Sequence, residues 1–194
     1  MGVNRSRNGP KPERPFFFVS NHISWLDSIV FSAELGAVFV PDAGIQKWPV
    51  IGPLLAALGM VFINRKMLRD IRRAGRKLMR HYGTGEGIVF FPEADTTDGT
   101  DIKPFRPGLF EGPCEAGIPV YWGILHYTVS PPWGPASKRI AWTDWTPFPV
   151  HAFRALKCRR CTAGITYGPV PVYGPDRKSV SSTIERKIKN GLMR

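Results

Sequence analysis

Ser20-Asn21-His22-Ile23-Ser24-Trp25-Leu26-Asp27 is the stretch whose reading decides this chain. It follows Phe16-Phe17-Phe18-Val19, an aromatic run that reads as a short buried strand. It leads into Leu26, Ile29, Val30 and Ala33, apolar positions at helical spacing. His22 is therefore expected at a strand-to-helix turn, where side chains project from the end of a sheet. With Asn21 or Ser24 as cap, Asp27 falls in the first helical turn and can fold back on His22. A carboxylate beside an imidazole fixes its tautomer and steadies the imidazolium, which makes the pair a general base for a hydroxyl. Such a pair at a helix start also serves plain capping, so the downstream residues have to decide between the two.

Downstream, short apolar runs alternate with amphipathic ones. Ala37–Val40, Met60–Ile63, Gly87–Phe91 and Val120–Leu125 read as strands, with a late one at Ala163–Tyr167. Helices are expected to about Glu34, over Leu54–Leu58, Lys66–Tyr82, Leu109–Ala116 and Asp176–Asn190. Alternation of this kind predicts an α/β fold, one domain with a largely parallel central sheet flanked by helices. Residues 1–14, rich in Arg, Lys, Pro and Asn, read as a flexible basic arm before a domain at 15–194. Ser130–Arg160, rich in Trp, Pro and Arg, reads as loops and short antiparallel strands.

The 194 residues carry 27 Lys and Arg against 15 Asp and Glu, a formal charge of +12. That excess calls for an anionic partner. Nucleic acid is disfavoured because the bases gather on one helix and in loops, without a nucleic-acid motif. Three cysteines, Cys114, Cys158 and Cys161, make no disulfide framework and suit a reducing compartment. Cys158 and Cys161 form a single C-x-x-C without the further ligands a zinc site needs. Asp95, Asp98 and Asp101 are explained by turn chemistry around Asp98-Gly99, so no metal is expected.

Four features share one order and spacing: Asn21-His22-Ile23-Ser24-Trp25-Leu26-Asp27; Gly59-Met60-Val61-Phe62-Ile63-Asn64-Arg65; Phe91-Pro92-Glu93; and Ile118-Pro119-Val120. Together they resemble the lysophosphatidate acyltransferase family of glycerolipid acyltransferases, from about Phe17 to Val172. Trp48-Pro49-Val50-Ile51-Gly52 and Pro104-Phe105-Arg106-Pro107-Gly108 are similar to the same family. The resemblance implies a glycerolipid acyltransferase-like fold and transfer of an acyl chain from coenzyme A or acyl carrier protein to a lysophospholipid hydroxyl. It implies no metal or prosthetic group, the thioester being a co-substrate. It implies His22 and Asp27 as the catalytic pair, and Arg65, Glu93, Asn21, Pro92 and Pro119 on the substrate side. The residue chemistry agrees: a hydroxyl attacking a thioester needs a base, and Arg65 presents a planar fork suited to phosphate. Pro119 also reads as a strand-start residue, and Glu93 as a turn cap.

The chain departs from the family pattern after Glu93, where Ala94-Asp95 stands in place of the usual Gly-Thr. Ala restricts a backbone that Gly leaves free, and Asp95 brings negative charge toward a phosphate site. Asp42 and Gly44 occupy a loop that commonly carries Lys and Glu. Lysophosphatidate remains the first acceptor, with a lyso-ornithine lipid, another lysophospholipid or glycerol 3-phosphate as alternatives. A lipid-binding module without catalysis is the reading from another class.

No signal peptide and no clean membrane span is expected; Trp48–Ile63 is broken by Pro49, Gly52, Pro53 and Gly59. Few residues precede the first motif, so membrane contact is expected from the surface. The expectation is a peripheral protein on the cytoplasmic face of an anionic membrane. The basic helix Lys66–Tyr82 and the apolar Trp48–Leu58 stretch are the expected contacts.

Overall fold

The computed structural model describes residues 2–144, 146–158 and 160–193, with side chains from residue 8 onward. Along the chain run β1 (Gly2–Asn8), β2 (Phe16–Ser20), α1 (Leu26–Leu35), β3 (Val38–Phe39), α2 (Ile51–Ala57) and α3 (Leu68–Gly83). Then come β4 (Gly87–Phe90), α4 (Glu111–Glu115), β5 (Val120–Val129), α5 (Ala136–Arg139), α6 (Phe148–Leu156), β6 (Arg160–Tyr167) and α7 (Arg177–Leu192). The six strands form one sheet in the order β1-β6-β5-β2-β4-β3. β2 lies parallel to β4 and β5, and β3 parallel to β4; β6 turns antiparallel to β5, and β1 runs parallel to β6. The α/β reading with helices flanking a largely parallel sheet therefore holds.

Alternation along β2 divides the core. Phe16 and Phe18 face one cluster with Val30 and Phe31 of α1 and Ala155 of α6. Phe17 and Val19 face another with Ala74 and Leu78 of α3 and Val180, Ile184 and Ile188 of α7. All five residues of β2 are buried, as expected of a strand covered on both faces. So α1 and α6 cover one face of the sheet, and α3 and α7 the other. Asp176 caps α7, accepting from the Lys178 and Ser179 N–H groups at 2.8 and 3.1 Å.

Three expectations differ from the observed elements. Residues 2–8, read as part of a flexible arm, form an edge strand on β6; Met1 lies outside the described residues. Met60–Ile63 runs beside β3 but makes only an isolated bridge, Asp42 to Ile63. The N–H groups of Val61 and Ile63 reach the Phe39 and Pro41 carbonyls at 3.0 and 3.1 Å. Pro41 has no N–H to return, which stops the ladder. Finally, the stretch 130–160 holds the helices α5 and α6 rather than short strands. Pro147 and Pro149 sit at the cap and in the first turn of α6, where a helix tolerates them. Trp145 and Arg159, the latter between the two cysteines of the C-x-x-C, lie outside the described residues.

Candidate active site

The site lies beyond the carboxyl ends of β2, β3 and β4, the place where α/β sheets bind ligands. His22 leaves β2 and stacks flat on Phe91, which follows β4, with ring centroids 4.2 Å apart and planes at 7°. His22 Nδ1 lies 2.8 Å from Asp27 Oδ2. That oxygen also accepts the Ile23 and Ser24 N–H groups at 2.6 and 3.0 Å. The other oxygen, Oδ1, accepts the Tyr127 hydroxyl at 2.8 Å. Asp27 is wholly buried, and these four partners replace the water it has lost. Burial, then the neighbouring Asp27 carboxylate, pushes the Tyr127 hydroxyl well above its ordinary range, so it stays a donor. With Nδ1 occupied, Nε2 is the ring nitrogen left to take a proton.

The backbone of His22 is held as firmly as its ring. Its N–H donates to Glu93 Oε1 at 2.7 Å, and its carbonyl accepts the Thr97 N–H at 2.8 Å. Glu93 Oε2 accepts the Lys103 N–H at 2.8 Å. Glu93 is thus buried behind the His22 loop, with both oxygens taken by backbone. Expected on the substrate side or as a turn cap, Glu93 does not line the cavity and holds the loop in the capping role. Burial raises its carboxyl from 4.5 to about 7, against the downward pull of the Lys103 and His22 N–H groups.

His22 opens into a cavity of about 1130 Å³. Its apolar walls come from Trp48, Leu55, Leu58, Met60, Phe91 and Phe148. Arg65, Asp42, Asp95, Asp98, Thr96 and Lys103 supply polar lining. Burial lowers the Arg65 pKa, the Asp42 carboxylate pulls it back, and the guanidinium remains charged. Its Nη2 donates to the Val40 carbonyl at 3.2 Å, which fixes one end of the fork. Asp95 pairs with the Lys103 ammonium.

Of the residues expected on the substrate side, only Arg65 lines the cavity. Asn21 is buried and clasps β5: its Nδ2 donates to the Leu125 carbonyl at 2.9 Å and its Oδ1 accepts the Leu125 N–H at 2.8 Å. Pro92 is buried, and its carbonyl accepts the Arg106 N–H at 2.9 Å. Pro119 sits directly before β5, in the strand-start role. Asn21, Pro92 and Pro119 therefore position strands and loops around the site. Asp98 accepts the Thr100 N–H and hydroxyl at 2.9 and 2.7 Å, which is turn chemistry.

Two contributors escape a reading of the sequence. Tyr127 reaches Asp27 across 100 positions of chain, and only the sheet order brings it there. His151 on α6, wholly buried, accepts the Trp25 indole N–H on Nδ1 at 3.0 Å and meets the Ala141 carbonyl through Nε2 at 3.0 Å. That bond holds Trp25 in the cavity wall next to His22.

Comparisons with known proteins place the chain among its relatives. A family model described as Acyltransferase matches residues 3–121. A 1-acyl-sn-glycerol-3-phosphate acyltransferase of Neisseria gonorrhoeae is 31% identical over 191 residues, covering 97% of this chain and 74% of the relative. A lyso-ornithine lipid O-acyltransferase of Rhodobacter capsulatus is 29% identical, covering 99% of this chain and 71% of the relative. The crystal structure of the 1-acyl-sn-glycerophosphate acyltransferase PlsC of Thermotoga maritima shares the fold, with a TM-score of 0.64 at 20% identity over 99% of this chain and 73% of that one. The chain belongs to the acyltransferase family.

Proposed function

We propose that this enzyme moves a fatty acyl chain from an acyl thioester, on coenzyme A or acyl carrier protein, to the free hydroxyl of a lysophospholipid. The first acceptor is 1-acylglycerol 3-phosphate, giving phosphatidate. One observation carries the reading: an imidazole held through Nδ1 by a buried carboxylate opens into the same large apolar cavity as a guanidinium. In this mechanism the acceptor hydroxyl attacks the thioester carbonyl while His22 Nε2 takes its proton. Asp27 holds the imidazolium that forms. The tetrahedral adduct then collapses, the carbon–sulfur bond breaks, and the imidazolium returns the proton to the leaving thiolate. Arg65 binds the acceptor phosphate. Holding both substrates against one base supplies the rest of the rate. No prosthetic group enters the scheme. The exposed arginines of α3, of which Arg73 alone pairs with an acid among the described residues, Asp70 at 3.2 Å, offer attraction for an acidic carrier or the phosphates of coenzyme A.

A lyso-ornithine acceptor is the second reading, and a specific feature favours it. Asp42, Asp95 and Asp98 line the cavity with Arg65, a mixed set suited to a head group that carries both charges. Among the described residues no helix is long and apolar enough to cross a membrane. Peripheral attachment at the cytoplasmic face of an anionic membrane is the localisation we propose. Purified protein incubated with a panel of lysolipids and glycerol 3-phosphate, with both donor types, and read by product mass, tests all of this. Phosphatidate as the main product is expected. Preference for lyso-ornithine lipid selects the second reading, and binding without any product makes the chain a lipid-binding module.

A further inference from the structure

Helix α6 presents apolar side chains on two faces. His151 and Ala155 point into the core, as one stripe of a helix should. The opposite stripe, Val150, Phe153 and Leu156, is apolar too and stands 57%, 63% and 52% exposed. A surface helix ordinarily turns polar side chains to water there, so this stripe asks for a partner. Lys157 follows the same stripe, its ammonium 4.3 Å from the centre of the Phe153 ring, an apolar body with a cationic rim.

Two observations say what the partner is. The first is continuity with the cavity. α6 starts at Phe148, which lines the cavity and packs on Trp48 at 4.8 Å and Trp25 at 5.3 Å. In α2, Leu54 lines the same cavity and is 55% exposed, and Leu58 just beyond it does likewise. Exposed apolar side chains thus stand on both helices that line the cavity, which would take an acyl chain. Docked on a bilayer by these helices, the cavity would face the lipid, an arrangement that a protein partner on α6 would not need. The second is charge. Helix α6 and its C-cap carry Arg154 and Lys157 and no acid, and Asp144 before the helix is held by Arg154 at 2.7 Å. Such a rim attracts anionic head groups and suits an interfacial helix.

We propose that α6, with α2 across the cavity mouth, is the surface by which the enzyme docks on anionic lipid, and that it opens the cavity directly to the bilayer. The proposal rests on the lipid-acyltransferase reading and assigns the docking to a helix that a sequence reading takes for loops. Phe153 and its neighbours enter the head-group region, and Lys157 reaches the lipid phosphates.

The test uses the whole chain, floated with vesicles of phosphatidylcholine with and without phosphatidylglycerol. A Val150→Ser, Phe153→Ser, Leu156→Ser variant should partition at least about tenfold less than wild type, since three exposed apolar side chains lose their burial in lipid. Its turnover of a short-chain, monomeric lysolipid should equal wild type, while turnover of vesicle-embedded acceptor falls with the partition. Phe153→Trp should float as wild type does, which separates lost insertion from lost folding. Wild type that stays off anionic vesicles overturns the proposal, as does a triple variant that floats unchanged. A wild-type dimer, seen by sedimentation and lost in the triple variant while flotation persists, gives the face to a second copy instead. Failure of the acyl-transfer reading is distinct: wild type is then inactive even on the monomeric acceptor, whatever its flotation.

Discussion

Two loops leave neighbouring parallel strands at the same end of the sheet, and they are built differently. The loop after β2 carries His22 and Asp27. Its carboxylate is wholly buried and accepts four hydrogen bonds, one of them from a strand 100 residues away. The loop after β4 carries Asp95, Asp98 and Asp101, which are exposed and bonded within their own turn or to surface lysines. Removing a partner from a buried carboxylate leaves an unpaid desolvation, whereas solvent replaces a lost partner at the surface. The first loop is therefore intolerant of change and suited to one reaction step. The second has more room to vary. Glu93 joins the two: it belongs to the second loop by sequence and to the first by contact.

The sharpest way to break this contrast is His22→Ala. Acyl transfer should fall by at least about a hundredfold, the usual range for a lost general base, with lysolipid binding and the unfolding transition kept. Turnover near wild type would remove His22 from the reaction and leave the buried carboxylate as architecture only.

Glu93→Gln tests the joint. The amide keeps one acceptor oxygen and turns an NH2 toward the other backbone N–H, at a cost of about 1–3 kcal/mol. Activity should fall about tenfold because the His22 amide loses its anchor or shifts. A pH signature accompanies it. The folded Glu93 carboxyl, raised by burial from 4.5 to about 7, holds its proton more tightly than the unfolded chain does. Its contribution to stability is full below the unfolded value and is lost as pH rises through the folded one, on the order of 3 kcal/mol in all. Urea unfolding at several pH values across that window should show the decline in wild type and its absence in the variant. A wild-type stability that rises across the window would mean that Glu93 is already ionised when folded.

Tyr127→Phe removes one donor from Asp27 and nothing from the cavity. kcat should drop about threefold to tenfold with KM unchanged, the pattern of a positioning residue. A raised KM with kcat unchanged would reduce Tyr127 to packing.

The same contrast explains what the sequence made legible. The strand, turn and helix around His22 follow from local spacing: five residues from His22 to Asp27 and a buried aromatic run before them. Their pairing at 2.8 Å needs only that local geometry. Arg65, which the resemblance put on the substrate side, lines the cavity. What required the sheet order could not be read. Tyr127 lies on the strand beside β2, and Asn21 clasps that same strand rather than facing a substrate. Glu93 looks like a cavity residue from its position after β4, but two backbone N–H groups capture it. α6 was hidden by Pro147 and Pro149, residues that mark a loop in composition and a helix start in place.

The smallest expected effect concerns the joint between the two loops. Ala94, where the family pattern has Gly, adopts φ 64° directly after Glu93. The left-handed region costs a residue with a Cβ about 1–2 kcal/mol. Ala is held there chiefly by Glu93, whose two oxygens accept backbone N–H groups. Ala94→Gly relieves that cost but gives the unfolded chain more freedom, a loss of about 0.4–1 kcal/mol. The balance favours glycine by a fraction of a kcal/mol up to about 1, a rise in Tm of about 1–4 °C for a domain of this size. Thermal unfolding of the two proteins side by side measures it. A lower Tm in the glycine variant would mean that the loop after β4 relaxes without its neighbours' hold. It would then be as adjustable at Glu93 as it is at Asp98, and the boundary between the rigid and the variable part of the site would move back to β4 itself.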